Sequence, residues 1–151
     1  MIEEFILVNK VDAKLINNEK EQSSVINLGK SMNISRKLLV NTFLFVEEKT
    51  FEPVIAIFEA DAVLSIDKLQ KASGLDKLRE ASQVESLEIT GYAAEFIPPV
   101  SVYGVKTFLS ESALKIKKVY AGAGDKFHLL EINPGQIKEF GFEVQTADLI
   151  E

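Results

Sequence analysis

The run Ala121-Gly122-Ala123-Gly124-Asp125-Lys126 has the small residues, the acid and the lysine from which a phosphate-binding turn could be built. A complete phosphate loop spaces two glycines by four residues, follows them with Lys and Ser or Thr, and then opens a helix. Here Phe127 follows Lys126 and begins an apolar run, so the spacing favours a glycine-rich hairpin turn in which glycine supplies positive φ. His128, the single histidine, sits in Phe127-His128-Leu129-Leu130-Glu131-Ile132. Strand alternation puts His128 and Leu130 on one face and Phe127, Leu129 and Glu131 on the other. No Ser or Cys nucleophile with a triad signature accompanies it, so His128 reads as structural or solvent-facing. Lys115, Lys117 and Lys118, joined by Lys106, form the best basic patch, a small footprint for a phosphate backbone. Glu3-Glu4 and Glu47-Glu48 read as solvated surface charge. There is no cysteine, which removes disulfides and thiolate zinc sites, and one histidine cannot build a His-rich metal site.

These residues need elements to position them. Ile2, Phe5 and Ile6 have helical spacing, and Ala13–Ile16 reads as a short strand. Ser24–Met32 reads as a helix with Val25, Leu28 and Met32 on one face, although Gly29 weakens it. Ile34–Val40 is a helical turn leading into a strand. Thr42–Val46 and Pro53–Phe58 are continuous apolar runs, as expected of strands covered on both faces, with Glu47-Glu48-Lys49 at the tip between them. Ser65 caps a helix that Gly74 stops. Ser82-Gln83-Val84-Glu85 is a capping box for a helix ending near Gly91. Ser110–Leu114 reads as a short helix, and Lys117–Ala121 and Phe127–Ile132 as strands around the glycine-rich turn. Asn133 caps a last helix with Pro134 at its first position and Gly141 at its end, and Phe142–Ile150 adds an edge strand. Strands and helices interleave, which predicts an α/β domain on a mixed sheet.

The 151 residues fit one compact domain with a real core, and 46% hydrophobic with 26% charged residues is ordinary globular composition. The acidic start Met1-Ile2-Glu3-Glu4 is unlike a signal peptide, and no apolar run is long enough to span a bilayer. A net charge of −6 lowers the expectation of nonspecific nucleic-acid binding unless a local basic patch exists. Absence of cysteine suits a reducing cytoplasm.

Three segments occur in one order: Thr90-Gly91-Tyr92 with Pro98-Pro99, then Val119-Tyr120-Ala121-Gly122-Ala123-Gly124, then Asn133-Pro134-Gly135. Together they resemble the second half of the YbaK-like aminoacyl-tRNA editing domains, a family that includes the prolyl-tRNA deacylases of ProX type. The resemblance runs over roughly residues 24–151. Leu39-Val40-Asn41-Thr42-Phe43-Leu44-Phe45 resembles the family strand I-V-K-T-L-V-F, and Glu52-Pro53-Val54 resembles the start of the next. Ala60-Asp61 stands at the family's Gly-Asp turn, with Leu69–Gly74 at the helix after it. Ala81-Ser82 leading to Thr90-Gly91-Tyr92 resembles A-S-P-E-E-V … T-G-Y, and Pro99 falls on the proline of the G-x-x-x-P loop.

The resemblance implies a single editing domain over residues 1–151, a mixed and strongly curved sheet with helices around it. It implies hydrolysis of the ester of a mischarged aminoacyl-tRNA by water, in the cytoplasm, with no cofactor and no membrane. The partner would be the aminoacylated 3′ end of tRNA. The residues it assigns to substrate are Tyr92, Phe96, Ile97, Pro99, Ala121, Gly122, Ala123 and Gly124. Three departures carry consequences. Asn41 replaces the family lysine, which removes a cationic donor for a developing oxyanion. Glu95 and Phe96 replace two glycines and are expected to fill part of the pocket. Ala62-Val63 replaces a basic pair, removing phosphate contacts. Two residues could compensate: Lys37, four residues before Asn41 and on the same side if the helix ends late, or Glu95 as a general base on water. The expectation is a deacylase that is weak or inactive. The alternative is a catalytically silent module of this fold that binds a small amino-acid-like ligand or a protein partner. A positive rim around the pocket favours tRNA, and a negative rim favours the silent module.

Overall fold

The structure, a computed structural model, describes residues 2–151. Its centre is the antiparallel hairpin of β2 (Val40–Glu47) and β3 (Pro53–Glu59), paired from Val40 opposite Glu59 to Val46 opposite Pro53. β4 (Leu78–Glu80) adds antiparallel to the far end of β2. β5 (Thr107–Ser110) and β8 (Val144–Ala147) add in parallel beyond β3, giving the order β4-β2-β3-β5-β8. A second, antiparallel sheet has the order β1-β7-β6, from β1 (Ala13–Asn17), β6 (Val119–Gly122) and β7 (His128–Ile132). The five-stranded sheet is mixed, as the sequence leads one to expect, and a parallel bridge between Leu39 and Tyr120 joins it to the second ladder.

The main core lies between the two sheets. Val40, Leu44, Ile55, Ile57 and Leu109 meet Val119, Ala121, Leu130 and Ile132 there. Helix α1 (Ile2–Asn9) closes one part of it with Ile2 and Phe5, and α6 (Pro134–Phe140) contributes Ile137. The opposite face of the five-stranded sheet carries Phe45, Val54, Ala56, Phe58 and Phe108. Leu69 of α3 (Ile66–Ser73) and Leu149 pack onto this face. Burial on both faces explains why the β2 and β3 segments are continuously apolar rather than alternating. A third cluster joins Val25 and Leu28 of α2 (Val25–Ser31) to Leu39, Ala60, Phe96 and Leu129.

Local chemistry sets most helix ends. The hydroxyls of Ser24 and Ser65 accept from the amides of Asn27 and Lys68. Ser82 and Glu85 form a reciprocal capping box at the start of α4 (Gln83–Thr90), and Asn133 caps α6. Gly74 and Gly91 end α3 and α4 in the left-handed conformation, at φ 75° and 81°. Gly29 is a packing requirement: a Cβ there would lie 2.5 Å from Leu39 Cδ1. Strands β4 and β5 and the 3-10 turn Ala94–Phe96 escape the sequence reading. All three are too short for a periodicity to register, yet β5 is central, with Phe108 and Leu109 fully buried. The expected helix over Ser110–Leu114 is α5 (Glu111–Leu114), and Ser110 closes β5. Among the described residues no helix is long and apolar enough to cross a membrane.

Glu85 also receives both guanidinium nitrogens of Arg79, at 2.8 and 2.9 Å. The Arg79 hydrogen bonds, then the Ser82 amide, lower its pKa from the ordinary 4.5 to about 2. A depressed folded-state pKa gives a stabilisation that is complete above the unfolded value and lost as pH falls through the folded one. Thermal unfolding followed by circular dichroism should therefore show Glu85→Gln less stable than wild type at neutral pH. The difference should shrink as pH falls from about 4.5 to about 2.

Candidate functional site

A cleft of about 740 Å³ opens over β2. Asn41, Phe43 and Phe45 alternate along that strand and share one face. Phe58, the cross-strand partner of Asn41, lies beside them, its ring edge-on to Phe43 at a centroid distance of 5.4 Å. The start of α2, Arg36, Ala60, Ala62-Val63-Leu64, Glu80-Ala81, and Ala94, Glu95 and Ile97 also line it. The surface is mostly apolar, with Arg36, Asn41, Glu80 and Glu95 as its charged or amide-bearing members.

Arg36 is the cation of this lining, and sequence reasoning missed it. It stands on the 3-10 turn Arg36–Leu38, capped by Ser35, and its Nε donates to the carbonyl of Ala60 at 3.2 Å. That bond fixes the side-chain stem and leaves the terminal nitrogens of an exposed residue free to act. The shared helical face expected of Lys37 and Asn41 does not exist. The turn is three residues of 3-10 helix, β2 begins at Val40, and exposed Lys37 lies outside the lining. The signal was present in Ser35, whose hydroxyl accepts from the Lys37 amide and marks a short turn rather than a late helix end.

Glu95 is exposed at the cleft, where Gln83 Nε2 donates to both of its carboxylate oxygens, at 2.6 Å for Oε2. Gln83 is fixed in turn by the Ala94 amide, which donates to its Oε1 at 3.0 Å. Phe96 points away from the cleft into the Val25, Leu28, Leu39 and Leu129 cluster and is only 4% exposed. Phe96 therefore does not fill the cleft, whereas the Glu95 side chain stands in its lining. Ile97 lines it.

The other residues assigned to substrate lie behind the wall. Tyr92 is buried, with its hydroxyl 2.9 Å from that of Ser101 and its carbonyl accepting from Ser86. Pro99 is buried, and Ala121 and Ala123 belong to the main core. Gly122 is packed so closely that a Cβ would lie 2.8 Å from the Ile97 carbonyl oxygen and 2.9 Å from that of Phe96. Gly124, at φ 95°, donates its amide to Phe96 at 2.9 Å, and a Cβ on it would meet the Tyr92 ring at 2.7 Å. The segment 121–124 thus holds the 92–97 segment in place and contributes nothing to the lining. The glycines serve backbone approach and a β6–β7 hairpin, as no helix follows them.

His128 makes a hairpin contact, with Nδ1 at 2.9 and 3.0 Å from the two oxygens of Asp125. Asp125 also accepts from the amides of Phe127 and His128. Burial opposes the Asp125 charge, but the His128 ring and these amides outweigh it and hold its pKa below the ordinary value. The lysine patch is partly neutralised. Lys118 and Lys14 lie 3.2 and 3.7 Å from Glu131, and Lys106 stands 5.6 Å over the Phe108 ring. Lys117 and Lys118 line a separate cleft of about 380 Å³. Among the described residues no group of three or more His, Asp or Glu is placed to hold a metal ion.

Residues 19–140 match the family of aminoacyl-tRNA editing domains. In fold, the chain is similar to the crystal structure of the hypothetical protein APE2540, at 24% identity and a TM-score of 0.85, covering 99% of both chains. It is similar to a proposed trans-editing enzyme for prolyl tRNA synthetase, at 24% identity and a TM-score of 0.80, over 92% of this chain and 87% of that one. A scaffold used for computational epitope grafting has a TM-score of 0.86 at 19% identity, over 99% of this chain and 94% of that one. No curated protein matches the chain.

The close approach of Gly122 gives a direct test. A methyl group there meets backbone, which cannot swing aside, so Gly122→Ala should cost about 1–3 kcal/mol in urea unfolding. An unchanged midpoint would show that β6 moves freely against residues 96–97.

Proposed function

The chain belongs to the aminoacyl-tRNA editing domain family, and from that premise we propose that it is a deacylase that hydrolyses the ester of a mischarged aminoacyl-tRNA. The observation that carries the reading is the mostly apolar cleft whose lining includes Arg36 and Asn41. Its volume, about 740 Å³, lies within the usual range for small-molecule sites and suits an amino acid with its terminal adenosine. Phe43, Phe45 and Phe58 offer an apolar surface to the amino-acid side chain. Similarity to the proposed trans-editing enzyme supports proline tRNA as the carrier. In this reading residues 1–151 act as one cytoplasmic editing domain.

Water adds to the ester carbonyl, and the carbonyl–oxygen bond to the ribose breaks. The proton lost by water ends on the ribose hydroxyl, releasing the free amino acid and uncharged tRNA. Negative charge grows on the carbonyl oxygen on the way, and this is where a donor matters most. Asn41 offers a neutral amide in the place of the family lysine, while Arg36 brings a permanent cation from the neighbouring turn. Reliance on a displaced cation implies a slow enzyme.

A specific observation favours the silent binding module as second reading. Glu80 and Glu95 outnumber Arg36 among the charged residues of the lining, and a negative rim repels phosphate. A panel of mischarged tRNAs separates the two readings. Slow hydrolysis is expected, with Arg36→Ala lowering the rate by about a hundredfold and Asn41→Lys raising it by about tenfold or more. Lys37→Ala should change little, as Lys37 lies outside the lining. No turnover with any charged tRNA would leave the binding module. Fast turnover insensitive to Arg36 and Asn41 would remove the proposed role of both.

A further inference from the structure

We infer that Glu95 receives the α-ammonium of the esterified amino acid, so that the cleft takes aminoacyl groups with a free amine and rejects N-blocked ones. The inference rests on the deacylase reading for the identity of the ligand, and on the geometry of Glu95 for the contact. Glu95 lines the cleft. Gln83 Nε2 donates to both of its oxygens, and Gln83 is itself locked by the Ala94 amide. Gln83 opens α4 next to the Ser82–Glu85 capping box, so the chain that carries it is fixed as well. The carboxylate is therefore oriented before any ligand arrives.

An ionised carboxylate has about four acceptor sites, and a single amide group leaves some of them unused. None of the ion pairs among the described residues includes Glu95. It is thus a positioned, uncompensated anion on the wall of an apolar cleft. The chemistry that completes it is a compact cation with several donors attached to an apolar group, and an α-ammonium beside an apolar side chain has that form. A phosphate would be repelled, and the carboxylate cannot serve the ester carbonyl, which needs a donor. Glu80, the other carboxylate of the lining, sits on the three-residue edge strand β4 and receives no comparable fixing bond. Acylating the amine removes the charge and leaves the carboxylate facing a neutral amide, a mismatch that costs affinity.

The test uses two non-hydrolysable probes: valine joined through an amide to 3′-amino-3′-deoxyadenosine, and its N-acetyl derivative. Calorimetry with the wild-type chain should give the free-amine probe at least about tenfold tighter binding, as expected for one charge-assisted contact. Glu95→Gln keeps the shape and one of the two Gln83 contacts but loses the charge, and should bring the two affinities together. Equal binding of both probes to wild type, no binding of either, or an equal loss of both in Glu95→Gln would overturn the inference. Deacylation is measured in parallel. Absent turnover with intact discrimination would sink the deacylase reading alone, and turnover without discrimination would sink the Glu95 assignment alone.

Discussion

The cleft depends on one contact between backbones. At the end of β6, Gly122 lies against the carbonyls of Phe96 and Ile97, and two residues on, the Gly124 amide donates to Phe96. Any side chain at position 122 would push these segments apart. The turn that carries Glu95 and Ile97 is therefore held from behind by the three-stranded sheet, while its front borders the cleft. The same sheet meets β2 through the Leu39–Tyr120 bridge. One small sheet thus supports two sides of the cleft, the Asn41 strand and the Glu95 turn, and fixes their separation without a residue in the lining.

That support lets an apolar surface and opposed charges coexist. β2 is covered on the inter-sheet side, and α3 with Leu149 covers the other face toward β3 and β5. Over Asn41 and Phe43 this cover is incomplete, so one amide and one aromatic side chain stay partly accessible in a mostly buried strand. Arg36 on one segment and Glu95 on another put opposite charges in one lining. A ligand with a positive and a negative end fits in one orientation.

The local features were legible in the sequence because their causes are local. Ser24, Ser65, Ser82 and Asn133 announce helix starts through their own side chains, and Gly74 and Gly91 announce ends through their backbone freedom. The β2–β3 hairpin was legible because double burial demands an unbroken apolar run. β5 was not, although it is central, because four residues carry no period and its burial is imposed by β3 and β8 on either side. The glycines at 122 and 124 drew attention as a ligand turn. Their reason is a distant backbone, which no neighbouring residue reveals. Similarly, Lys37 rather than Arg36 followed from assuming a helix where the chain makes a single tight turn.

Exchanging a lysine for an arginine from another position alters the chemistry as well as the geometry. A lysine buried near an ester can give or take a proton, and its pKa moves with its surroundings. A guanidinium keeps its proton across the working range, so Arg36 can stabilise charge but cannot act as acid or base. With Asn41 equally unable to titrate, the carboxylates of Glu80 and Glu95 are the titratable groups of the lining. In the proposed role of Glu95, a carboxylate that pairs with an ammonium is poorly placed to take a proton from water. In the proposed deacylase reading, proton transfer then falls to water and to the hydroxyls of the substrate's own ribose. On that reading the protein contributes position and charge, and the ester's environment supplies the rest.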